Sequence, residues 1–146
     1  HQLFNIMLLT IDSRDRENTT STATETVRIV LENSIQFKKI SLVFMDLPID
    51  EDDNGGSLES SYFMRIAEMP ANVRGTSYAD SAAFILIKNA SVGYRSISFE
   101  NSSYSQTIDL GEYKRFSELN ISLHYRFKAE STLQMVSDWT CIFRIE

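Results

Sequence analysis

The chain has 146 residues, the length of one ordinary domain, and at 42% hydrophobic and 11% aromatic it is too apolar to be disordered. Its formal net charge of -6 opposes a phosphate-rich partner, and the adjacent basic pairs Lys38–Lys39 and Lys114–Arg115 make no patch, so nucleic-acid binding is not expected. The one cysteine, Cys141, excludes a disulfide within the chain and a cysteine-based zinc site.

Leu3 to Ile11 is an apolar run with β-branched residues and predicts the first strand. Its longest apolar stretch, Ile6–Leu9, is broken at Thr10 and Asp12 and has no basic lead-in or small-residue cleavage site, so neither a membrane span nor a signal peptide is expected. The start at His1 without a Met fits a processed or excised fragment. In Thr26–Leu31, Val27 and Ile29 share one face and Arg28 takes the other. Lys39–Leu47 places Ile40, Leu42, Phe44 and Asp46 on one face, and Ser41, Val43, Met45 and Leu47 on the opposite one. Both faces are mostly apolar, as in a strand flanked on both sides.

Tyr62–Ile66 and Phe84–Ile87 are short apolar runs, Tyr94–Phe99 and Leu119–Tyr125 alternate, and Trp139–Ile145 closes the chain. Helical signals are weak and confined to Ser60–Met69 and Thr76–Ala83. The stretches Arg14–Thr24 and Asp50–Ser61 are long enough for Greek-key or jelly-roll connections. No repeat or second composition regime appears. The pattern predicts a single all-β domain over residues 1–146, an antiparallel jelly-roll-like sandwich of about eight to nine strands.

Four stretches carry a family resemblance: Ile11-Asp12-Ser13-Arg14-Asp15-Arg16; Val27–Leu31 with Phe37–Val43 leading to Leu47-Pro48; Arg65–Pro70 with Asp80–Ile85; and Leu119–Leu123 with Asp138-Trp139 opening the last strand. In this order they resemble virion structural proteins of large double-stranded DNA viruses, virophages and polinton-like elements. After Pro48 the chain leaves that pattern for an acidic loop. The resemblance implies a jelly-roll-like sandwich located in the virion, at a vertex (penton), in a spike or as a minor capsid protein. Its implied partners are copies of itself, as trimer or pentamer, and other capsid proteins.

Candidate chemistry is sparse. Asp12 and Ser13 are suited to fixing a turn by accepting backbone N–H groups, which leaves Arg14 and Arg16 to clamp the loop or to meet a carboxylate across an interface. Asp50–Gly55 matches D-x-D-x-N-G, the opening of a calcium loop, but the twelfth position is Ser61 and Glu59 falls two residues early. The acidic loop 50–56 is therefore read as solvated, and no metal or cofactor is expected. His1 and His124 lie far apart, Cys141 sits in an apolar run, and no G-x-S-x-G, H-E-x-x-H or P-loop occurs, so no catalytic residue is assigned and no enzyme is expected. His124 shares a strand face with Asn120 and Ser122 and is read as exposed or satisfied; Trp139 and Cys141 are read as core. Tyr78 and Tyr104 lie in polar stretches and are the candidate ligand-facing aromatics of an alternative role, a receptor- or glycan-binding head. Asn18, Asn89, Asn101 and Asn120 fit the N-x-[ST] pattern, Asn120 in mid-strand where acceptance of a glycan is poor.

Overall fold

Period-two burial is plainest in the last strand, where Cys141, Phe143 and Ile145 are buried and Thr140, Ile142 and Arg144 are half-exposed. The computed structural model describes residues 6–17, 26–48, 61–70, 84–88, 94–98, 107–124 and 138–146. These form β1 (Met7–Asp12), a 3-10 turn (Ser13–Asp15), β2 (Val27–Pro48), β3 (Ser61–Ile66), β4 (Phe84–Lys88), β5 (Tyr94–Ser98), β6 (Thr107–His124) and β7 (Thr140–Ile145). All the pairings are antiparallel. The strands join in the order β1-β7-β2-β6-β3-β4, with β5 also on β2.

The all-β, antiparallel reading is met, but the described strands make one hydrogen-bonded sheet of seven and not a distinct sandwich of eight or nine. Part of the difference lies in β2. Thr26–Leu31 and Lys39–Leu47 are expected as separate strands, yet the polar stretch between them stays extended and the two fuse into one element of 22 residues. Likewise β6 reaches back from Leu119 to Thr107. Within Ser60–Met69 the described residues, from Ser61 on, are not helical: β3 occupies most of them and a turn follows, closed by the Met69 N–H on the Ile66 carbonyl at 3.1 Å. Thr76–Ala83 lies outside the described residues.

Both long strands carry irregular register, and an extra residue of this kind bends and twists the strand that holds it. Val30 and Ile35 on β2 face Glu118 and Phe116 on β6, so β2 carries the excess there. Phe37 and Lys39 then face Lys114 and Asp109, and the excess passes to β6. Gly111 sits in that second irregularity with φ of 83°, a left-handed conformation that side chains rarely adopt. Its N–H donates to the Asp109 side chain at 2.8 Å. Between the two irregularities, Phe37 stacks on Phe116 with ring centroids 4.8 Å apart.

A third irregularity corrects the expected faces of β2. Leu42 faces Phe143 and Phe44 faces Ile142, so Val43 is one extra residue. A bulge reverses the parity of every later side chain. Ile40 and Leu42 are buried before it, and Met45 and Leu47 after it, while Phe44 and Asp46 are only half-buried. The predicted grouping of Ile40, Leu42, Phe44 and Asp46 on one face therefore fails at Val43. The flanked position of this segment is as expected: β7 lies along one edge and β5 along the other.

The core is a single cluster drawn from β1, β2, β3, β6 and β7 together with Met69 and Trp139, with Trp139, Phe37 and Phe143 its largest fully buried side chains. Burying each of the large side chains contributes about 1.5–3 kcal/mol.

Candidate functional site

The end of β1 is where sequence and structure meet most closely. Asp12 has extended backbone and caps the 3-10 turn, its Oδ1 accepting the Arg14 N–H at 2.9 Å. The Arg14 guanidinium then grips the same carboxylate, Nε to Oδ1 at 3.0 Å and Nη2 to Oδ2 at 2.6 Å. That bond is the largest reason why the Asp12 carboxyl sits below the usual aspartate range. Arg14 remains 68% exposed, so its contact is with its own turn and its outer surface faces solvent.

Ser13, in contrast, is fully buried, and its N–H and hydroxyl both bond across the chain. Its N–H donates to the Trp139 carbonyl at 2.9 Å, and its hydroxyl accepts the Trp139 N–H at 2.9 Å. The same hydroxyl donates to Asp138 Oδ1 at 2.9 Å. Arg16 completes the unit: its Nη1 donates to the Ser13 carbonyl at 2.8 Å and to Asp138 Oδ1 at 2.9 Å. The Arg16 side chain is 15% exposed and so is committed inward. Asp12–Arg16 and Asp138–Trp139 are thus one clamp. It fixes the end of β1 against the start of β7, beside the pair Asp12↔Thr140. Of the two candidate interface arginines, only Arg14 presents a largely open surface. Sequence reasoning found the turn but missed that Asp138 receives it.

A second polar assembly was missed altogether. Arg28 on β2 donates to both carboxylate oxygens of Glu118 on β6, at 3.2 and 3.1 Å. Asn120 donates its amide to Glu118 at 2.8 Å and to Glu68 at 2.6 Å, while its backbone N–H also meets Glu68 at 2.8 Å. Arg28 is the leading cause of a lowered Glu118 carboxyl pKa, and Asn120 comes next. The network ties the turn after β3 to β6 and β2, and it occupies the Asn120 amide that the glycosylation pattern had marked. Its sequence signal was faint, because cross-strand charge pairs are visible only once register is known.

The remaining candidates fall as follows. His124 and Ser122 are both buried, bonded Nε2 to Oγ at 2.7 Å, so the face read as polar is a covered one. Cys141 is buried, and desolvation pushes its thiol well above the ordinary value, which keeps it neutral. It lies on β7, which does not pair with the His124 strand, β6. Among the described residues no group of three or more His, Cys, Asp or Glu could hold a metal ion. His1, Tyr78, Tyr104 and the acidic loop 50–56 lie outside the described residues, as do Asn18, Asn89 and Asn101.

At one end of the sheet order β1 presents an apolar strand edge. Ile6, Met7 and Leu8 are 53%, 55% and 64% exposed, and among the described residues β1 pairs only with β7. Set against known proteins, the chain matches no family model, and no curated protein matches it.

Proposed function

We propose that this chain is a non-enzymatic structural protein of a virion. It would serve at a capsid vertex (penton), in a spike or as a minor capsid component. On this reading it works by contact with copies of itself, as a trimer or pentamer, and with other capsid proteins.

The observation that carries the reading is the clamp. Asp12–Arg16, the sharpest part of the resemblance, and Asp138–Trp139, another part of it, are far apart in sequence, yet they converge on Ser13 in one hydrogen-bonded unit. A rigid β-scaffold with a firmly anchored first strand suits a protein whose work is docking.

The finer architecture belongs to the same proposal: a jelly-roll-like sandwich of eight or nine strands, in which the bent β2 and β6 serve two layers. Two features support it. Side chains from five strands enter one core cluster. The end of β6 is buried on both faces, by Ile121 and Leu123 on one side and Ser122 and His124 on the other.

The test is particle incorporation. Mass spectrometry of purified particles should detect the chain, and size-exclusion chromatography with light scattering should give a multiple of the 16.7 kDa monomer. A strict monomer that is absent from particles would end the reading.

A further inference from the structure

The geometry points to β1 as a self-pairing edge: the β1 strands of two copies of this chain join antiparallel about a two-fold axis and continue one sheet into the next. This deepens the proposed structural role and rests on it.

Three observations lead to a second copy as the occupant. The first is the main chain. β7 satisfies one edge of β1, and no other described strand pairs with it. A strand edge offers alternating N–H and C=O groups, so its natural ligand is another extended strand. Antiparallel pairing of a strand with its own copy satisfies the same groups on both sides, which is the isologous contact that two-fold symmetry requires.

The second is charge. A chain with formal net charge -6 carries no charged residue from Ile6 to Ile11. Natural edge strands are usually guarded by a charge or a proline, and β1 has neither before its last residue, Asp12. A pairing centred on Leu8 places the two copies of Asp12 at its far ends, where each is already held by its own Arg14. No unbalanced charge enters the contact from the described residues. The remaining like charge acts at longer range and is screened by salt.

The third is the distribution of apolar surface. In a two-fold pair about an axis normal to the sheet, each face stays on its own side. Leu9 and Ile11, on the core side, extend the inner layer across the junction. Leu8 faces the opposite side, where it is 64% exposed in the single chain, and the two copies of Leu8 cover one another.

The size of the contact sets its strength. A strand of six residues is about 20 Å long and buries less than the roughly 1,200 Å² of a stable specific interface. The pairing is therefore weak alone and effective when several contacts act together in an assembly. It is independent of whether subunits also group around a three-fold or five-fold axis.

The experiment is sedimentation equilibrium of the full chain over a concentration series, beside Leu8→Lys and Thr10→Lys. Both residues are exposed, so neither substitution disturbs the core, and unchanged circular dichroism confirms it. The expected result is reversible association that strengthens with salt and weakens at least tenfold in Leu8→Lys. Amide hydrogen exchange in β1 should slow as the chain associates. Unchanged association in Leu8→Lys, or β1 amides that exchange equally fast in monomer and complex, overturns the pairing. So does a wild-type chain that stays monomeric throughout. If particles contain the chain but Leu8→Lys leaves association intact, the edge pairing falls and the virion role stands. If β1 pairs as described but the chain is absent from particles, the virion role falls alone.

Discussion

Ser13 and Asp138 are separated by 125 positions in sequence, yet the hydroxyl of one donates to the carboxylate of the other at 2.9 Å. The bond closes the first strand onto the last. It also turns two short polar motifs into one unit, because Arg16 donates to the same carboxylate oxygen.

Removing that hydroxyl should be costly. Ser13→Ala strips the Trp139 N–H of its acceptor in a fully buried place and takes a donor from Asp138. A buried group left unsatisfied costs about 1–3 kcal/mol. We expect a lower urea midpoint with an unchanged slope. Arg14→Ala, at an exposed pair within the same turn, should lower the midpoint by clearly less than Ser13→Ala does. Equal effects from the two substitutions would mean that the clamp does not hold β1.

The bulge at Val43 makes a parity prediction. After it, Met45 is fully buried and Phe44 only half so, the reverse of what unbroken alternation gives. Met45→Ala should therefore cost about 2–5 kcal/mol, as truncations in tight cores do. Met45→Lys should prevent folding, while Phe44→Lys leaves a folded chain by circular dichroism. The opposite ranking would place the extra residue elsewhere.

Much of the fold could be read from the residues, and the unread parts share a cause. The last strand is legible because Cys141, Phe143 and Ile145 alternate with less buried neighbours. The later half of β2 is legible as a flanked strand because it is apolar on both faces. Its bulge is not, since Val43 is as apolar as the residues it displaces. The joining of both halves of β2 is hidden too: Glu32, Asn33 and Ser34 look like a loop, but the strand bulges and continues through them. At the clamp, local chemistry announced the turn around Asp12. The partner, Asp138, is fixed only by the β1–β7 register, which no short-range pattern encodes.

Acid should weaken the fold through two carboxylates. Asp12 is lowered mainly by its bond from Arg14, and Glu118 mainly by its bond from Arg28. Unfolded, they take up protons near their ordinary values of 3.8 and 4.5. Folded, they do so only at lower pH, so the unfolded state binds more protons in between. Their stabilisation is complete above that range and is lost as pH falls through the depressed folded values. Denaturation midpoints followed from pH 7 down to pH 2 should drop across this window. In the double variant Arg14→Gln/Arg28→Gln the drop should be shallower, and an unaltered acid limb would show that these pairs do not set it.

Alkali should act through Cys141, where the slope of stability against pH has the opposite sign. Burial raises the thiol above its ordinary 9.0, so the folded chain keeps a proton that the unfolded chain releases. The unfolded state then binds fewer protons, and stability falls as pH rises past the ordinary value. One proton's difference corresponds to about 1.4 kcal/mol per pH unit. Cys141→Ala removes the thiol and should flatten this part of the profile, whatever it costs in packing at neutral pH. The same burial keeps the sulfur from reagents. A thiol-reactive dye should leave Cys141 unlabelled in the native chain and label it at the rate of unfolding in urea. Rapid native labelling would mean that β7 opens locally, and the inner edge that holds β1 would then be a mobile one.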